Sequence, residues 1–143
     1  MPRLLALAAA LGIFLLGGAQ LASGAGGSVT LKTFAGGWQA HDRFMTISGT
    51  GRGVETVLDS CCEHAITVHF QISKVWGTTE RPMASAKVTY VRLYDPSDYS
   101  KQHPAPKLGQ VGTLRIVQGV LYETLAGDTY CNNKTEATGK CGA

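Results

Sequence analysis

Between residues 28 and 130 apolar and polar residues alternate with period two in run after run, and no stretch shows the 3.6-residue period and cap of a helix. Such alternation buries one face of a strand and solvates the other, so the chain is constrained to sheets. The best run is 66–76, with Ile66, Val68, Phe70, Ile72 and Trp76 on one face and Thr67, His69, Gln71 and Ser73 on the other. Lys74 alone interrupts the inner face. In 84–93, Ala84, Ala86, Val88 and Tyr90 share a side before the pattern shifts to Val91 and Leu93, as a β-bulge would produce. Residues 77–82 between these runs have loop composition, which predicts a long hairpin. Shorter hairpins are expected from 44–48 and 54–58 around a glycine-rich reversal, and from 113–117 and 120–125 around Gln118-Gly119. Residues 28–33 complete the set as a first strand. The expectation is an all-β domain of about seven antiparallel strands, a small barrel or a sandwich.

The N-terminus sets the expected compartment. Arg3 precedes an apolar run over 4–16, followed by the small residues Ser23-Gly24-Ala25. This is the pattern of a signal peptide cut near Ala25, and the run is too short for a membrane span. Cleavage leaves 118 residues, one domain of ordinary size, and loss of Arg3 lowers the formal charge from +3 to +2. The remaining cations are scattered singly, which excludes the basic stripe of a nucleic-acid binder. A secreted or cell-envelope location is expected.

An even number of cysteines in an exported chain points to disulfides. Those here are Cys61, Cys62, Cys131 and Cys141. Closing the adjacent pair would make a strained ring. The alternatives are Cys61 to Cys131 with Cys62 to Cys141, or the reverse. Each bridge closes roughly 70–80 residues, and on the chain-entropy account contributes about 4 kcal/mol. They would tether the polar tail of 130–143, where Asn133-Lys134-Thr135 also has the form of a glycosylation acceptor.

No pattern for catalysis emerges. The serines and the histidines His41, His64, His69 and His103 sit in no nucleophile motif. Asp59 with Glu63, and Asp95 with Asp98, are the paired carboxylates, and the second pair reads as a turn. His64 and His69 near Cys61 and Cys62 lack metal-site spacing and read as surface histidines. No cofactor or metal is expected. The long polar connection 95–111, rich in proline, is where a rigid framework would display contact residues. Tyr94, Tyr99, His103 and Lys107 are the candidates there, because aromatics and cations are favoured at interfaces. The expected role is a non-catalytic binding or accessory protein with an extracellular protein or small ligand as partner. The alternatives are an inhibitor of a secreted enzyme and a small secreted hydrolase.

Gly36-Gly37-Trp38, close to the expected mature N-terminus, is similar to the opening motif of lipocalins and their avidin-like relatives. Thr129-Tyr130 resembles a distorted counterpart of the second lipocalin motif. The resemblance implies an up-and-down barrel with Trp38 at one end. It transfers no ligand residues, since only Trp76 is left to supply an aromatic wall.

Overall fold

Each long alternating run pairs with its neighbour in sequence, because a tight turn brings the next run alongside at little entropic cost. In the computed structural model, which describes residues 27–59, 63–94 and 105–132, eight strands form one antiparallel meander. They are β1 (Gly36–Ala40), β2 (Arg43–Ile47), β3 (Arg52–Asp59), β4 (Glu63–Gly77), β5 (Pro82–Leu93), β6 (Val111–Val117), β7 (Val120–Glu123) and β8 (Thr129–Cys131). β1 pairs with β8 through Gln39 and Cys131, so the sheet closes into a barrel. Closure gives every strand two neighbours, although β5 meets β6 only over Met83–Lys87 and β1 meets β8 at a single pair. The fold is therefore a barrel rather than a sandwich, and the architecture is the one implied by the Gly36-Gly37-Trp38 resemblance.

The three expected hairpins are present, and two strands differ from expectation. Residues 28–33 do not form a strand: a 3₁₀ turn occupies Leu31–Thr33, and the Thr33 hydroxyl accepts the backbone N–H of Thr30 at 3.1 Å. That local bond competes with strand pairing. The first strand is β1 instead, and the short β8 is an addition, which brings the count from about seven to eight.

Two bulges set which side chains face inward. Between β4 and β5 the register skips Thr89, so Val88 and Val91 both reach the core, and Tyr90 lies outside against His69. A second skip at Ser73 turns Val75 inward and puts Lys74 and Trp76 on the outer surface. Trp76 is thus not a core residue, contrary to the expectation that it shares the inner face with Ile66, Val68, Phe70 and Ile72.

The interior is filled by Met45, Ile47, Val57, Val68, Phe70, Ile72, Val88, Leu114, Leu121 and Tyr130, with Trp38 and Phe34 among them. An eight-stranded barrel is just wide enough for side chains to fill it. Trp38 donates its indole N–H to the Phe34 carbonyl at 3.0 Å, fixing the chain that enters β1. The 3₁₀ turn before it lies against the β2–β3 reversal, where Leu31 meets Gly51. Phe70 lies over Gly53, its partner across β3 and β4, so closely that a Cβ there would fall 2.0 Å from the ring.

Candidate functional site

Polar groups inside a β-barrel are costly unless paired, so buried charge marks where the interior departs from simple packing. Here Arg43, Glu55 and Glu123 are the buried charged residues among those described, and Glu55 is 0 % exposed. Arg43 opens β2, Glu55 faces it from β3, Glu123 ends β7, Asp128 lies in the following loop and Tyr130 is in β8. All five meet at the barrel end that carries the β1–β2 turn and the β7–β8 loop.

Glu55 Oε1 accepts from the Tyr130 hydroxyl at 2.5 Å and from Arg43 Nη1 at 3.3 Å. The same Nη1 pairs with Asp128 Oδ2. Glu123 turns its carboxylate to the backbone of the β7–β8 loop, accepting from the N–H groups of Leu125, Ala126 and Asp128. That loop folds back over the barrel: Leu125 covers Gly112 of β6, leaving no room there for a Cβ. Gln110 donates to the Leu125 carbonyl at 3.0 Å and accepts from the Lys107 N–H at 2.9 Å. The cluster therefore fastens two neighbouring loops to one barrel end.

Carboxylate oxygens of Glu55, Glu123 and Asp128 lie within 4.8 Å of one another. Three acids against one arginine leave excess negative charge in a poorly hydrated space. Burial, reinforced by the charges of Glu123 and Asp128, raises Glu55 to about 7 despite the Tyr130 hydrogen bond and Arg43. Glu123 is also raised, chiefly by burial, and Tyr130 is pushed up by burial and by Glu55. Glu55 Oε2 is buried without a hydrogen-bond partner, which adds to the cost of keeping this carboxylate charged. A cation would have to compete with Arg43 for Glu55 and Asp128 and with three backbone N–H groups for Glu123. The chemistry this arrangement offers is proton uptake within a locked scaffold.

Because the folded pKa of Glu55 exceeds its ordinary value of 4.5, the native state binds more protons between pH 4.5 and 7. Stability should therefore fall as pH rises through that window, by up to about 3 kcal/mol from this group. Glu55→Gln keeps an acceptor for Tyr130 and should flatten the slope. Urea midpoints at pH 5 and pH 7.5 for both proteins check this, and parallel slopes would exclude Glu55 as the source.

The sequence candidates lie elsewhere. Tyr94 follows β5 and is exposed, with the Arg92 guanidinium 4.5 Å from its ring centroid and His64 edge-on at 5.6 Å. Lys107 is exposed and joins the cluster only through Gln110. Tyr99 and His103 lie outside the described residues, as do Cys61, Cys62, Cys141, Asp95 and Asp98 and the segment 1–26. Asp59 and Glu63 pair in register at the ends of β3 and β4. His41 and Asp42 form the β1–β2 turn, their side chains 3.2 Å apart. Sequence reasoning missed Arg43, Glu55, Glu123 and Asp128. The available signal was Glu55 itself, an acid at an inward position between Gly53 and Val57.

No protein-family model, no curated protein and no solved structure matches the chain.

Proposed function

We propose that the chain is an exported, non-catalytic binding or accessory protein of the extracellular space or cell envelope, working through its outer surface and loops. The observation that carries this reading is the filled interior: the acids with catalytic potential sit where Glu55 has no exposure to a substrate. Their bonds are spent on holding loops, and loops fixed on a rigid frame are where binding residues gather. Support for export is the signal-like segment before residue 26 and the even cysteine count. Cys131 stands at the end of β8, where a bridge would hold the seam of the barrel. The proposed staples join Cys61-Cys62 to Cys131 and Cys141.

Mass analysis of the native, unreduced protein from its producing cells tests the reading. The expected result is a mature start near Gly26 and two bridges linking Cys61-Cys62 to the C-terminal cysteines. Retention of residues 1–25 together with free thiols would overturn it.

A further inference from the structure

The outer surface of β4 to β7 carries a row of side chains that neither the core nor the carboxylate cluster uses. Register sets Trp76 opposite Met83, Met83 opposite Arg115 and Arg115 opposite Tyr122. The bulge at Ser73 is what brings Trp76 and Lys74 to this side. Cations lie against both rings: Arg115 is 5.0 Å from the Tyr122 centroid and Lys74 is 5.9 Å from that of Trp76. Beside the row, Arg81, Arg115, Val117 and Tyr122 line an open groove of about 340 Å³. That volume lies within the roughly 300–1,000 Å³ of small-molecule sites.

Among the described residues no carboxylate lines the groove, and neither Arg81 nor Arg115 has an ion-pair partner. Glu80, next to Arg81 in sequence, accepts instead from the Thr79 hydroxyl at 3.0 Å. Two guanidiniums thus face a groove whose walls supply no counter-charge. A guanidinium presents a planar fork of donors matched to a carboxylate, and an exposed aromatic ring offers a flat apolar face. Trp76 and Tyr122 remain 37 % and 38 % exposed, on the row that borders the groove.

We propose that this groove binds an acidic glycan, with a sugar carboxylate held between Arg81 and Arg115 and the C–H face of a pyranose ring against Tyr122 or Trp76. The proposal rests on the binding-protein reading above and names its ligand class. Charge complementarity selects the acid, and the aromatic row selects a ring over a bare ion.

The two tryptophans make the test direct, because Trp38 is buried and Trp76 is exposed. The purified protein is titrated with oligogalacturonate, with neutral maltohexaose and with inorganic polyphosphate while tryptophan fluorescence is followed. Saturable quenching by oligogalacturonate alone is expected. Arg81→Ala with Arg115→Ala should weaken it at least tenfold at an unchanged melting temperature, and Trp76→Phe should abolish the signal. Equal binding of polyphosphate, or undiminished affinity in the double arginine variant, would overturn the proposal. Failure of oligogalacturonate with a protein that is exported and bridged removes this ligand class and leaves the wider reading standing. Retention of residues 1–25 with free thiols removes the wider reading whatever the groove binds.

Discussion

Arg43→Met should cost about 3–5 kcal/mol at pH 7.5, because it strips the one positive charge from a buried group of three acids. Typical domain stabilities are about 5–15 kcal/mol, so much of the folded population is at stake. The loss should depend on pH in a defined direction. Without Arg43 the folded-state pKa of Glu55 rises further above 7, and its proton is then held over a wider range. The deficit is expected to be greatest above pH 7 and to shrink as pH falls toward 4.5, where Glu55 enters the interior neutral. Urea denaturation of wild type and variant at pH 5 and pH 8 provides the measurement. A deficit equal at both values would mean that Arg43 acts by packing and not by charge.

Gly53→Ala is the second large effect. The added methyl group would sit 2.0–2.5 Å from three ring atoms of Phe70, a side chain only 1 % exposed in a closed barrel. The ring is packed among the buried core residues, and overpacking of this kind costs about 1–3 kcal/mol. Phe70→Leu also destabilises on its own, by removing part of the core. Combined, the two changes should cost less than their sum, since the smaller side chain removes the clash, with a coupling of about 1 kcal/mol or more. Strict additivity in the denaturation midpoints would show that Gly53 is required for some other reason.

The strands legible in the sequence were those long enough to repeat their own pattern. β4 and β5 each carry several alternations, so their pairing and a bulge near Val91 could be expected, although the bulge falls at Thr89 and turns Tyr90 outward instead of inward. β1 begins with two glycines that have no side chains to alternate, and β8 is three residues long. Neither offers a period to detect, although together they close the barrel. The interruption at Lys74 marked a real feature: a bulge exchanged the faces, which moved Trp76 outward and with it the groove's aromatic border. The site was harder to read because its members are joined only by the closed topology. Glu55 meets Arg43 twelve residues away and Tyr130 seventy-five residues away, and no local spacing encodes either contact. An inward acid in β3 announces that a partner is needed, and only the order of the strands tells which residue supplies it.

The seam between β1 and β8 gives the barrel a timetable. β8 is the last of the described strands, and Tyr130 lies on it beside Cys131, which meets Gln39 of β1. Until that strand docks, Glu55 lacks its hydroxyl donor and the cylinder stands open along one side. Closing the cylinder and completing the hydrogen bond to Glu55 are therefore a single event, and it waits for β8 to dock. A truncation before Tyr130 would remove both the latch and the wall that it locks.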